Sequence, residues 1–164
     1  MSLIVTGELY LASARQRCRR CRRDAPVLAL AAHGLVHDGE AYGDAAGGAE
    51  RGGGSAGGEL LLLCDLSAMP APVYALLHRR DARYRRQYCG DDPSRFYYGN
   101  HCRCGLEFHD VWLMSGTGAA FAPRDATEAA AIVLERLPAI GRLCFEGGCF
   151  HGAGDLIWRH ARVA

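Results

Sequence analysis

The sequence has no lysine, so its positive charge comes from arginine alone. Its 19 basic residues nearly balance 18 acidic ones and leave a formal net charge of +1. This balance provides no global attraction to nucleic acid or to an anionic membrane surface. A preference for an anionic partner would therefore have to come from where the arginines are placed.

Long apolar runs are also missing. Apolar runs such as Leu60 to Cys64 are far too short to span a bilayer, and residues 1–14 lack the basic and apolar regions of a secretory signal. Eight cysteines in a chain without such a signal are typical of metal binding in a reducing compartment rather than of disulfides. We therefore expect a cytoplasmic protein with no membrane association.

Motifs of metal-dependent catalysis are absent as well. There is no H-E-x-x-H pattern and no His-x-Glu element of a zinc deaminase. The stretch from Gly39 to Gly58 is rich in glycine but lacks the Lys or helix start of a phosphate-binding loop, and it predicts a flexible loop. His33, His37 and Glu40 are scattered ligand types that match no known motif.

Two closely spaced cysteine pairs carry most of the information in the chain. Zn(II) favours four-coordinate thiolate or imidazole sites, and each half-site needs two ligands that a tight turn brings together. Gly105 follows the second pair, where such a turn often needs a positive φ. We predict one structural Zn(II) whose four ligands, Cys18, Cys21, Cys102 and Cys104, leave no position open for water or substrate.

The second pair leaves alternatives open, because only one residue separates Cys102 from Cys104. His101 or His109 would replace one sulfur if the tighter turn keeps both sulfurs from reaching the ion. Free or redox-active thiols are the remaining interpretation, although a thioredoxin-type motif would need a βαβ unit around Cys18, and none is readable.

The other cysteines are less informative. The segment from Cys144 to His151 would form half of a second metal site only if Cys64 and Cys89 supplied the rest. Free cysteines pack as small hydrophobic side chains, so we expect buried thiols at Cys144 and Cys149.

Hydrophobic periodicity predicts a modest set of elements. Strands are expected at Leu3 to Ala12, Val27 to Ala31, Phe96 to Tyr98 and Phe108 to Met114. Helices are expected from Pro70 to about Arg80, capped by Ser67, and from Asp125 or Thr127 to Leu137, with a closing hairpin from Arg142 to Glu146 and Leu156 to Val163. We predict a single α+β domain over 1–164, in which a small antiparallel sheet carries a zinc-ribbon-like site between two flanking helices, with a flexible loop at about 39–58.

Three segments resemble an uncharacterised family of small bacterial zinc-ribbon proteins. The first runs from Leu9 to Leu30 and contains the Cys18-x-x-Cys21 pair, the second is Tyr98 to Cys102 with the Cys-Gly that follows, and the third is Phe121-Ala122-Pro123. The family's second pair is C-x-x-C, one residue longer than the pair found here. The resemblance implies zinc binding and no particular activity.

Arginines surround the first cysteine pair. They are typical either of a phosphate-binding surface or of compensation for the negative charge of four thiolates and one Zn(II). A second basic stretch, Arg79 to Arg86, is interleaved with Tyr84 and Tyr88 in a pattern that suits base stacking. The arginines around the first pair are Arg15, Arg17, Arg19, Arg20, Arg22 and Arg23.

Three functions remain compatible with these patterns. The first is a zinc-dependent scaffold that binds a protein partner. The alternative is a nucleic-acid-binding zinc ribbon that uses the six arginines, and the third is an enzyme with an unrecognised site near His33 and His37. The net charge favours the first.

Overall fold

A computed structural model describes residues 2–42, 60–89, 92–138 and 142–164. The strands in these ranges are β1 (Ser2–Val5), β2 (Leu9–Arg17), β3 (Asp24–His33), β4 (Leu35–His37), β5 (Glu40–Tyr42), β6 (Leu60–Ala68), β7 (Arg85–Cys89), β8 (Asp92–His101), β9 (Glu107–Phe108), β10 (Val133–Arg136), β11 (Leu143–Phe150) and β12 (Arg162–Val163). The helices are α1 (Ala71–Arg80), α2 (Asp110–Met114), α3 (Ala126–Ala129) and α4 (Gly154–His160).

The described residues form one large mixed sheet and one small sheet. Nine strands lie in the order β12-β10-β2-β3-β6-β11-β1-β4-β5, with β12 parallel to β10 and the other pairs antiparallel. The remaining three form the sheet β7-β8-β9. The predicted small antiparallel sheet with two flanking helices is therefore wrong. Strands far apart in sequence build much of the large sheet, and local periodicity does not reveal such pairs.

Both faces of the large sheet are buried. Along β3, Leu28 and Leu30 face one apolar cluster, whereas Val27 and Ala29 face another. Helix α1 packs on the first cluster, and Cys18 and Cys102 belong to the second, together with residues of α2 and α4. The cysteine pairs are therefore joined to one of the two cores rather than set on a separate lobe.

Several predicted elements are confirmed. Val27 to Ala31 lies within β3, Phe96 to Tyr98 lies within β8, and the predicted helix corresponds to α1. Ser67 does not cap α1, because it lies in β6. The residue before the helix is Pro70, which makes no side-chain cap hydrogen bond.

Two other elements were assigned wrongly. The predicted strand from Phe108 to Met114 is mostly α2, in which the amide of Leu113 donates to the carbonyl of His109. The predicted helix through Leu137 ends at Ala129, although the Asp125 carboxylate does cap it. After a turn over residues 130–132, Val133–Arg136 forms β10, because pairing with β2 outweighs continuation of the helix.

The two ends of the chain also differ from expectation. Leu3 to Ala12 forms two strands instead of one, and β1 pairs with β4 and β11. The tail is not a hairpin, since β11 is followed by α4 and then by β12. Of the predicted glycine-rich loop, Glu40–Tyr42 forms β5, while residues 43–59 lie outside the described residues.

Candidate metal centre

The first cysteine pair lies in the turn between β2 and β3. These two strands form an antiparallel hairpin whose continuous register reaches the residues that flank the turn, Arg17 and Asp24. The amide of Cys18 donates to the carbonyl of Arg23 at 2.9 Å, and the amide of Arg22 donates to the carbonyl of Cys18 at 2.8 Å. Arg22, directly after Cys21, has a positive φ of 62°. The hairpin therefore closes the turn and presents both sulfurs.

The second pair lies in the turn between β8 and β9 and repeats this arrangement. The amide of Cys102 donates to the carbonyl of Leu106 at 2.8 Å, and the amide of Gly105 donates to the carbonyl of Cys102 at 3.0 Å. Gly105, directly after Cys104, has a φ of 85°, so the predicted positive φ is confirmed. The shorter spacing thus still forms a closed turn.

The four sulfurs of the two turns converge. All lie within 4.8 Å of one another, with Cys18 Sγ 3.6 Å from Cys104 Sγ and Cys21 Sγ 3.5 Å from Cys102 Sγ. A disulfide would require about 2.05 Å. A tetrahedron with metal–sulfur bonds of about 2.3 Å has edges of about 3.8 Å. The four cysteines could therefore hold a tetrahedral metal ion, for which zinc and iron are the usual occupants.

Neither histidine alternative joins this group within the described residues. His101 is buried, and its Nδ1 lies 3.0 Å from the backbone oxygen of Arg83. The Nδ1 of His109 forms a hydrogen bond with the hydroxyl of Tyr97. Both imidazoles are thus engaged with other partners.

The thiols of the centre differ in acidity. Burial raises the pKa of Cys18, but the amides of Cys21 and Arg20 and the neighbouring thiols donate to its sulfur and bring the pKa to about 6. Burial raises the pKa of Cys102 to about 12, and the adjacent sulfurs contribute. Backbone amides therefore do much to stabilise the thiolate of Cys18.

The arginines around the first pair are exposed and do not donate to the sulfurs. Among the described residues, their contacts near the centre are Arg20 Nη1 with the carbonyl of Cys104 at 3.5 Å and the Arg19 guanidinium over Trp112 at 3.6 Å from the ring centroid. The geometry therefore gives little support to direct compensation of the thiolates by guanidinium groups.

Strands β3 and β6 separate beside this centre. Their pairing reaches Leu30 opposite Leu63, and continuing the same register would place Leu28 opposite Asp65. Asp65 turns away instead, with a positive φ of 50°. The backbones of Leu28 and Asp65 therefore lose their strand partners, and unpaired polar groups are costly at a buried residue such as Leu28.

Two side chains satisfy these backbone groups. The Oδ1 of Asn100 accepts from the amide of Leu28 at 2.7 Å, and its Nδ2 donates to the carbonyl of Leu28 at 2.8 Å. The Oδ2 of Asp110 accepts from the amide of Asp65 at 2.7 Å. Since Asn100 lies two residues before Cys102 and β3 directly follows the first turn, the bonds of Asn100 link the two cysteine turns.

The buried carboxyl group of Asp110 should make stability depend on pH. Burial raises its pKa to about 7, despite the opposing hydrogen bond from Asp65. An unfolded Asp titrates near 3.9. Between about pH 4 and 7 the folded chain therefore holds a proton that the unfolded chain has lost, and the free energy of unfolding decreases as the pH rises through this window.

We expect Asp110→Asn to remove this dependence, because the amide oxygen still accepts from Asp65 and carries no charge. The free energy of unfolding of the variant, relative to that of the parent, should increase by about 2 kcal/mol from pH 5.5 to pH 8. Urea unfolding of metal-loaded protein at both pH values measures this gain. Asp155→Asn changes a highly exposed carboxylate and is the control. Parallel pH profiles for parent and Asp110→Asn would contradict the assignment.

The remaining cysteines do not form a second centre within the described residues. Cys144 is exposed and Cys149 is partly buried, so the expectation of buried thiols is wrong for Cys144. Burial raises the pKa of the Cys64 thiol to about 12, which makes it a poor nucleophile near neutral pH. The side chain of Cys89 is outside the part of the chain that the structure describes.

The described part of the chain does not bring together the residues of the enzyme hypothesis. His33 is buried, with its ring 4.4 Å from that of Trp158 and 5.8 Å from that of Tyr10, measured between centroids. His37 lies 3.7 Å from the carboxylate of Asp38. Within the described ranges, these histidines therefore do not assemble a metal-binding group.

Comparisons with known proteins identify no relative. No family model, no curated protein and no solved structure matches the chain. None of the helices among the described residues is long and apolar enough to cross a membrane. The resemblance to bacterial zinc ribbons therefore stays a prediction, and the function has to be argued from the site.

Proposed function

We propose that this chain is a zinc-binding protein whose structural Zn(II) supports a surface that binds nucleic acid. Cys18 and Cys21 come from one hairpin, and Cys102 and Cys104 come from another. Four thiolates fill the coordination sphere of Zn(II) and leave no position for a substrate, which suits a structural ion. Elemental analysis of purified, tag-free protein tests the metal, with about one zinc per chain expected.

One observation carries the choice of partner. The arginines near the centre are exposed, and within the described ranges they form no ion pair with a carboxylate; they are Arg15, Arg17, Arg19, Arg20, Arg22, Arg23, Arg95 and Arg103. Elsewhere, five arginines are paired, namely Arg80, Arg83, Arg124, Arg136 and Arg159, whereas Arg79, Arg85, Arg86 and Arg162 are exposed and also form no ion pair within the described ranges. Arg19 lies over Trp112 and Arg20 reaches the carbonyl of Cys104, but none of the guanidinium groups near the centre is neutralised by a carboxylate within the described ranges, so the local charge can act although the net charge is only +1.

The second basic stretch of the sequence is a poorer candidate. Within Arg79 to Arg86, Arg80 pairs with Glu135, Arg83 pairs with Asp81, and Tyr84 is buried in the core. Tyr84 and these two arginines are therefore engaged within the protein, whereas Tyr88 is 49% exposed. The partner surface is better placed around the cysteine turns.

Substitution of single arginines tests this proposal. Arg17→Ala and Arg23→Ala in zinc-loaded protein should each weaken binding to a mixed-sequence RNA or DNA oligonucleotide. Each should also lower the slope of log K against log salt by about one unit, because one phosphate contact is lost. Fluorescence anisotropy from about 50 to 200 mM salt measures both effects. Arg124→Ala removes an exposed but ion-paired arginine and should leave binding unchanged.

A protein partner is the second candidate, and exposed apolar side chains favour it. Val111 is 59% exposed and Trp112 is 40% exposed on neighbouring positions of α2. Exposed clusters of this kind often mark protein interfaces. If no oligonucleotide binds at about 50 mM salt, the nucleic-acid proposal fails and this candidate takes its place.

A further inference from the structure

A cavity of about 530 Å³ opens at the start of α2. Its volume lies within the range of about 300 to 1,000 Å³ that is typical of small-molecule sites. The cavity combines aromatic walls with a cation, a carboxylate and two further polar side chains. It is lined by Asp65, Arg95, Phe96, Tyr97, His109, Val111 and Trp112.

Trp112 is the central wall of this region. A second, smaller cavity shares it and is also lined by Arg17 and Arg19. The Arg19 guanidinium lies 3.6 Å from the centroid of the indole, and the His109 ring stands nearly perpendicular to it at 4.5 Å. These two neighbours hold the indole in place while it is still 40% exposed. A fixed, exposed aromatic ring loses little conformational freedom when a ligand packs against it.

Contacts within the protein orient polar groups of the cavity. The hydroxyl of Tyr97 forms a hydrogen bond with Nδ1 of His109. No hydrogen bond within the described residues involves Nε2 of His109. Asp65 is fixed through its backbone by Asp110. Neither Arg95 nor Asp65 forms an ion pair within the described part of the chain. The cavity thus offers one cation and several hydrogen-bonding groups beside apolar rings.

We propose that this cavity binds one unpaired nucleobase of a single-stranded nucleic acid. This proposal rests on the proposed nucleic-acid function. The base packs against the exposed part of Trp112, beside Phe96, over whose ring the Arg86 guanidinium lies at 4.4 Å from the centroid, and it uses its polar edge with Asp65 or His109. Arg95 and the arginines of the first cysteine turn contact the flanking phosphates. A base in a duplex is already stacked and paired, so the site selects single strands.

The experiment uses zinc-loaded protein and three fluorescein-labelled 20-nucleotide probes of mixed sequence: single-stranded RNA, the corresponding single-stranded DNA, and a duplex. We expect Trp112→Ala to weaken binding of a single strand about 10-fold, because base stacking on an aromatic ring is lost. Duplex binding should not change. Trp112→Phe should retain most of the affinity, and Val163→Ala, at an exposed apolar position on β12, should have no effect.

Tryptophan fluorescence provides a second measurement. The chain has two tryptophans, so Trp158→Phe leaves Trp112 as the only indole. Single-stranded probe should quench this fluorescence, and the duplex should quench it far less. Quenching is measured in Trp158→Phe, which retains Trp112, so it does not depend on whether Trp112→Ala folds. Zinc content and thermal unfolding monitor the folding of both variants directly.

The outcomes separate the two proposals. A selective loss of single-strand affinity in Trp112→Ala, together with quenching, supports the base-binding cavity, and comparison of the RNA and DNA probes identifies the sugar that is preferred. Equal losses for single strand and duplex, or no loss, overturn the base-binding cavity while the arginine-dependent binding stands. If none of the probes binds at about 50 mM salt, both proposals fail.

Discussion

Cys18→Ser is expected to abolish metal binding and to unfold most of the protein. Cys18 is fully buried between the cysteine turns and the second apolar cluster, so its loss removes a ligand and leaves a hydroxyl in the core. Structural zinc sites couple binding to folding, and apparent binding free energies reach about 10 kcal/mol or more. This exceeds the net stability of many domains. Elemental analysis and thermal unfolding of the same samples measure both effects.

Cys144→Ser is the matched control, because Cys144 is exposed and lies outside the cysteine centre. It should retain about one zinc per chain and the thermal midpoint of the parent. A strong chelator should lower the midpoint of the parent and of Cys144→Ser but should have no further effect on Cys18→Ser. If Cys18→Ser stays folded and keeps its metal, the four-cysteine site is wrong. If the bound metal is iron, the ligands stand and the assignment of zinc fails.

Asn100→Leu is expected to cost about 2 to 5 kcal/mol of unfolding free energy in zinc-loaded protein. The side chain is 3% exposed, and its loss leaves both the amide and the carbonyl of Leu28 without partners in a buried position. Urea unfolding measures this cost. Because Cys102 follows two residues later, we also expect faster loss of zinc to a colorimetric chelator.

Gln16→Leu provides the comparison for this change. Gln16 also uses a side-chain amide to bind distant backbone, accepting from Ala120 at 2.9 Å and lying 3.3 Å from the carbonyl of Gly118. These groups are close to solvent and can hydrogen-bond to water once Gln16 is gone, so the cost should stay below about 1 kcal/mol. Similar costs for Asn100→Leu and Gln16→Leu would show that Asn100 does not hold the split sheet together.

Local patterns predicted the parts of the chain in which neighbouring residues determine the conformation. The turn after β2 and the positive φ of Gly105 follow from cysteine spacing and glycine chemistry within a few residues. Helix α1 follows from an apolar stripe beyond Pro70. The prediction for Trp112 was wrong for a local reason, because alternation from Phe108 onward indicated a strand and placed the indole on a regular face.

The sequence by itself determined which residues can ligate a metal and where the two cysteine turns begin and end, since both depend on side-chain chemistry and short-range backbone geometry. The nine-stranded order of the large sheet was decided only by the tertiary structure, because strands distant in sequence pair through backbone groups that every residue carries. The same holds for Asn100 and Asp110. Their roles arise where β3 and β6 separate, and a buried backbone group left there must find a partner wherever the fold supplies one.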